Sequence, residues 1–176
     1  AALTVEMTPS EAYRRSIGLL RVDEVHACTA WLVAPDRVVT AREALARLPI
    51  GFPLVFELDD ATTGARRVDV DPDGECVLLE LAAPLPGRRP LPIAGCCSGR
   101  AAGWTVGYSR ARRGWAVPLD DLLVFPGDQG DARTVHSETL SVHMDSPHQC
   151  FSGAPIFVED HVVALVHNWA RGVTAF

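Results

Sequence analysis

No lysine occurs among the 176 residues; all sixteen basic side chains are arginine. That excludes lysine nucleophiles and Schiff-base chemistry. No apolar run approaches the ~18–20 residues of a helical membrane span, and no basic-then-apolar leader opens the chain. The opening Leu3-Thr4-Val5-Glu6 reads as a mature or excised terminus, as in a domain taken from a larger protein. The cysteines are few and unpaired in pattern: Cys28, Cys76, Cys96, Cys97 and Cys150 contain no C-x-x-C. Their odd number argues against a disulfide framework and against structural zinc. Adjacent Cys96 and Cys97 would bridge only with strain, and Cys76 reads as a buried strand residue. A reducing cytoplasm, with no metal and no cofactor, is the expectation. A net charge of −6 argues against nonspecific nucleic-acid binding. The 48% apolar and 22% charged fractions are those of an ordinary globular unit, long enough to bury a substantial core.

What the chain does have is short apolar runs broken by Gly, Pro and Asp. Thr8-Pro9-Ser10-Glu11-Ala12-Tyr13 predicts a short helix with proline in its first turn. Ser16–Arg21, Val25–Val33 and Val38–Thr40 read as strands, with turns at 22–24 and at Ala34-Pro35-Asp36-Arg37. Glu43–Arg47 favours one helical turn. Pro53–Leu58 and Ala65–Val70 predict a hairpin around residues 59–64, and Glu75–Leu81 a further strand. Residues 82–100, rich in Pro, Gly and Arg, read as an extended connector whose Arg88-Arg89 pair is expected to be solvated. Beyond it, strands are predicted at Gly103–Tyr108, Gly114–Pro118, Leu122–Phe125, Glu138–Met144, Ala154–Val158, Val162–Asn168 and Val173–Phe176. Arg110–Arg113 is a charged hairpin tip. Many short strands at close spacing predict a barrel or sandwich.

The most informative stretch is Gln149-Cys150-Phe151-Ser152-Gly153-Ala154-Pro155. A glycine-containing turn carrying one serine runs straight into the strand Ile156-Phe157-Val158. Such a turn exposes a hydroxyl while its flanking strands hold it still.

Ser152-Gly153-Ala154-Pro155, with Val162-Val163-Ala164-Leu165-Val166 after it, resembles the nucleophile region of trypsin-like (chymotrypsin-fold) serine proteases. It is most similar to a bacterial intracellular branch in which Phe, here Phe151, precedes the serine. Cys28-Thr29-Ala30-Trp31-Leu32-Val33-Ala34-Pro35-Asp36-Arg37-Val38-Val39-Thr40-Ala41 resembles the strand pair leading to that family's catalytic histidine. Glu75-Cys76-Val77-Leu78-Leu79-Glu80-Leu81 resembles the strand opening with its aspartate. The resemblance implies an all-β fold of two six-stranded antiparallel β-barrels with a short N-terminal helix. It implies one domain over 1–176, with lobe one at about 14–81, a connector at 82–100 and lobe two at 101–176. It also implies that the disulfide from the Cys28 position is lost, because Ala44 stands where the second cysteine would be.

The same resemblance locates the departures. Thr40-Ala41-Arg42 is followed by Glu43 where the base histidine belongs, and Glu75 stands at the aspartate. Histidine takes and returns a proton near neutral pH, whereas a glutamate carboxyl ordinarily titrates about two units lower. Losing the base in such enzymes typically costs about 10⁴–10⁶ in turnover. Two adjacent carboxylates would share a proton, turn apart or use Arg42 as counter-ion. Cys150 replaces the glycine whose N–H helps form the oxyanion hole. His167 is the candidate substitute base and His148 a pocket-wall residue. His26, His136, His143 and His161 read as ordinary strand or surface residues. His167-Asn168-Trp169-Ala170 departs from the Trp-Gly pair that binds substrate backbone in the family, against docking by an added strand; Cys150, His148, Asn168 and Trp169 are the candidate substrate- or partner-binding residues. A metal site from Glu43, Glu75 and His167 lacks any ligand-spacing signature.

Two readings follow. One is a pseudoprotease that binds a protein or peptide partner, within a larger bacterial signalling or defence protein. The other is an active serine hydrolase using Ser152 with His167 or Glu43 as a rearranged base.

Overall fold

Short apolar strands, some alternating inward and outward and others buried on both faces, build most of this molecule. In the computed structural model, residues 9–23, 27–45, 48–68, 76–94, 99–109, 115–125, 132–136, 149–166 and 173–175 are described. The first element, α1 (Pro9–Arg14), has Glu11 in its first turn and Arg14 in its last, as the helix dipole favours. The chain then enters β1 (Ile17–Arg21), β2 (Ala27–Ala34), β3 (Arg37–Ala41), a 3₁₀ turn η1 (Arg42–Leu45), β4 (Pro53–Glu57), β5 (Thr62–Arg67) and β6 (Cys76–Leu81). These strands close a barrel in the order β1-β2-β3-β6-β5-β4. The inward positions of β4 and β6 alternate strictly, with Leu54, Phe56, Val77, Leu79 and Leu81 buried. Strand β2 is buried on both faces. Cys28, Ala30 and Leu32 point into the barrel, and Trp31 on the opposite face joins a cluster shared with the second sheet.

That second sheet comprises β7 (Ala101–Ser109), β8 (Trp115–Phe125), β9 (Ala132–His136), β10 (Gln149–Cys150), β11 (Pro155–Val158), β12 (His161–Leu165) and β13 (Val173–Ala175). Its order is β10-β7-β11-β12-β13-β9-β8, and β7 pairs with β8 as well. Its own core holds Leu122, Val124, Phe151, Ile156, Val163 and Val166. Between the two sheets lie Tyr13, Ile17, Trp31, Leu91, Val106, Tyr108 and Phe157. The N-terminal helix and the connector are therefore parts of the interface core.

Several expectations change in detail. The β4–β5 loop is shorter than 59–64, because Thr62 and Thr63 already pair with Glu57 and Phe56. The strands predicted at Gly114–Pro118 and Leu122–Phe125 are one long strand. The gap between them at 119–121 is a β-bulge, and Leu119 and Leu122 stay buried through it. Strand β9 at Ala132–His136 has no counterpart in the sequence reading, and Glu138–Met144 lies outside the described residues. Cys76 is only half-buried, because it alternates with buried Val77 on the outer face of β6.

The Arg88-Arg89 pair is not simply solvated. The Arg88 side chain is 7% exposed and bonds the Asp60 carboxylate. It also donates to the Arg15 carbonyl at 2.5 Å. Burial and then neighbouring Arg15 lower its pKa from the ordinary value. Arg89 lies 5.6 Å from the Tyr13 ring centre, and its carbonyl accepts from the buried Ser16 hydroxyl at 2.6 Å. The described part of the connector turns at Gly87 and is pinned at several points. Leu85 N–H donates to Pro35, Leu91 N–H to Leu32, and Ala94 N–H to Val162.

Candidate active site

Ser152 sits at the corner of a tight turn. Ala154 N–H donates back to the Phe151 carbonyl at 2.9 Å, and Gly153 has φ of 91°. Together these mark a type II turn, whose third position demands a left-handed residue and hence glycine. Phe151 anchors one end. It is 1% exposed, and its ring lies over Gly107 on β7 so closely that any Cβ there would overlap it. Ser152 itself is half-buried.

The turn is clamped onto the first barrel by groups far away in sequence. Thr29 N–H donates to the Ser152 carbonyl at 3.0 Å, and Trp31 Nε1–H donates to the Gly153 carbonyl at 3.1 Å. The Thr40 hydroxyl donates to the Thr29 carbonyl at 2.7 Å, while the Thr29 hydroxyl accepts from Tyr108 N–H at 3.1 Å. A Cβ on Gly153 would collide with the Thr29 carbonyl and the Thr40 hydroxyl, and would come within 3.0 Å of Ala41 N. No buried side-chain nitrogen or oxygen among the described residues lacks a partner.

The backbone around this turn gathers residues close in the chain to Glu43, Glu75 and His167. Ala41, two residues before Glu43, pairs with Cys76, which follows Glu75 in sequence. Gly153 N–H donates at 2.7 Å to the carbonyl of Val166, which precedes His167. Glu43 lies in η1 with its side chain exposed. Glu75, His148, His167, Asn168 and Trp169 lie outside the described residues, as do His26 and His143. Cys150 is in β10, paired with Tyr108. Extended backbone is open to any L-residue, so cysteine meets no conformational objection there. His161 is exposed at the start of β12, as expected. Cys28 is a buried thiol, 3.4 Å from the Thr40 hydroxyl, and shares its core cluster with Ala44. No group of three metal-ligating side chains occurs among the described residues.

The sequence reading passed over Thr29, Trp31 and Thr40 as individual actors. Their signal was available in the period of β2. Thr29 and Trp31 alternate with the inward Cys28, Ala30 and Leu32, and a buried indole N–H needs an acceptor.

No protein-family profile matches the sequence, and no curated protein matches it by sequence either. Solved structures do match. The Rv3671c protease of M. tuberculosis in its inactive form is 20% identical, over 95% of this chain and 86% of that one, with a TM-score of 0.68. Its active form gives 20% identity over 90% and 72%, with a TM-score of 0.63. The scabies mite inactivated protease paralogue S-D1 is 10% identical over 96% and 86%, with a TM-score of 0.71. The chain therefore has the trypsin-like, chymotrypsin serine-protease fold, a fold carried both by proteases and by inactivated paralogues.

Proposed function

We propose that this chain is a catalytically degenerate trypsin-like domain, a pseudoprotease that works as a protein- or peptide-binding module. One observation carries the reading. The turn that presents Ser152 is clamped to the first barrel, and the residue that the resemblance aligns with the base is Glu43, a carboxylate in the 3₁₀ turn following β3. A hydroxyl without a neutral-pH proton acceptor is a poor nucleophile, while the turn that carries it stays clamped to the first barrel. Cys150, drawn into a strand pairing with Tyr108, supports the same reading, since its backbone lies along a β-ladder. In this reading residues 1–176 form one domain of two six-stranded barrels. The pairing of β7 with β8, at the two ends of the order β7-β11-β12-β13-β9-β8, supports closure of the second. The domain serves a larger bacterial protein in a reducing cytoplasm.

The competing reading is a live hydrolase in which His167 serves as base. It draws on the bond between Gly153 N–H and the carbonyl of Val166, next to His167 in the chain. Labelling with a serine-directed fluorophosphonate at neutral pH separates the two. The pseudoprotease reading expects no stoichiometric modification. Full labelling that is abolished by Ser152→Ala and strongly reduced by His167→Ala or Glu43→Gln would overturn it.

A further inference from the structure

A groove of about 520 Å³ runs between the end of α1 and the β7–β8 ladder, lined by Arg14, Gly103, Trp104, Thr105, Pro118 and Asp120 among others. Trp104 is its aromatic wall. One face of the indole stacks on buried Phe157, with centroids 3.8 Å apart and planes at 4°. The ring N–H donates to the Glu159 carbonyl at 2.9 Å. The ring is therefore fixed in place, and it remains half-exposed.

Carboxylates surround it. Between the Gly103–Leu122 and Thr105–Leu119 pairs, β8 carries one more residue than β7, which sets Asp120 and Asp121 opposite Trp104. Both are exposed. On the other side, the β11–β12 turn presents exposed Glu159 and Asp160. Glu159 has φ of 53°, a left-handed conformation that glycine adopts at less cost. Arg14 is the one cation among the described lining residues. No ion pair among the described residues engages Asp120, Glu159 or Asp160.

An indole face attracts a cation, and Asp120 in the groove with the Glu159-Asp160 turn beside it outnumber Arg14 in setting the sign of the field. We propose that this groove docks a basic segment of a partner protein. An arginine or lysine side chain lies on Trp104, and its charge is met by Asp120 and by the Glu159-Asp160 turn. The site is separate from the serine turn. Trp104 lies four residues along β7 from Tyr108, the partner of Cys150, a separation of roughly 13 Å. It goes beyond the reading of Ser152 and does not depend on whether that serine reacts.

The test is fluorescence anisotropy on the full chain, using a labelled arginine-rich nonapeptide and its glutamate-substituted counterpart as probes. The arginine peptide is expected to bind and the glutamate peptide not to. Asp120→Asn and Asp160→Asn, both at exposed positions, should each weaken binding about threefold, and Trp104→Leu about tenfold. Asp59→Asn, the same charge change on the first barrel, should leave binding within about twofold. Glu159→Gly should weaken binding while leaving the melting temperature unchanged or raised. Because Trp104 stacks on the core, loss of fold in Trp104→Leu leaves the three rim variants to decide. Equal binding of both peptides, no effect of Asp120→Asn and Asp160→Asn, or an equal effect of Asp59→Asn would overturn the proposal.

Discussion

Trp31 and Gly153 are 122 residues apart in sequence, yet the indole N–H of one is bonded to the carbonyl of the other at 3.1 Å in the buried seam between the sheets. The turn that carries Ser152 is thus held by the opposite barrel. Its geometry reports on the docking of the two sheets as much as on its own residues.

Gly153→Ala should therefore be among the most damaging single changes in the chain. The new Cβ would meet backbone at Thr29 in a conformation that L-residues rarely adopt. A loss of about 3 kcal/mol or more is expected, read as a lower urea midpoint. Trp31→Phe removes one bond and leaves a buried carbonyl unpaired, at a cost of about 1–3 kcal/mol. A Gly153→Ala protein as stable as the parent would show that the turn is not clamped as described.

Restoring an imidazole at position 43 should not by itself restore catalysis. Glu43→His supplies a base, but Glu75 and Cys150 still depart from the protease pattern. No peptide hydrolysis above that of Ser152→Ala is expected. Robust peptidase activity in Glu43→His would show that one substitution accounts for the whole defect.

Tyr108 gives the fold an alkaline limit. Burial first, and then the charge of Asp59, raise its pKa from 10.0 to about 12. Its hydroxyl donates to the Ile17 carbonyl at 3.1 Å. The native state holds this proton more tightly than the unfolded chain does. The stabilisation is thus complete below pH 10 and is lost as pH rises through about 12. The loss is on the order of 2 kcal/mol. Urea midpoints measured across this range should fall in the parent, and fall less in Tyr108→Phe, which loses about 1 kcal/mol at neutral pH instead. Parallel curves for the two proteins would remove Tyr108 from the account.

Arg88 fastens the connector to the first barrel through Asp60 and the Arg15 carbonyl. Arg88→Met keeps much of the apolar stem and removes the charge, and should cost about 1–2 kcal/mol. Asp60 is 62% exposed, so Asp60→Asn should cost less. A double-mutant cycle between the two positions measures their coupling, and a coupling of zero would mean that Arg88 acts through packing alone.

Much of this molecule could be read from local rules. The alternation in β4 and β6, proline opening α1, and glycine after Ser152 depend on contacts within a few residues or on a period of two. Such features are written directly in sequence. Glu43 in place of an imidazole is likewise a matter of residue identity. Tertiary structure alone decided the rest. Thr29, Trp31 and Thr40 became the holders of the Ser152 turn only when the two sheets met. Arg88 became a covered clamp only when the connector crossed α1 and the β4–β5 hairpin. Asp120 and Asp121 became a bulge facing Trp104, within one long strand, because Leu119 and Leu122 on either side of them stay buried. In each case the deciding energy is a contact between segments tens of residues or more apart, and no local pattern encodes which segments barrel closure will bring together.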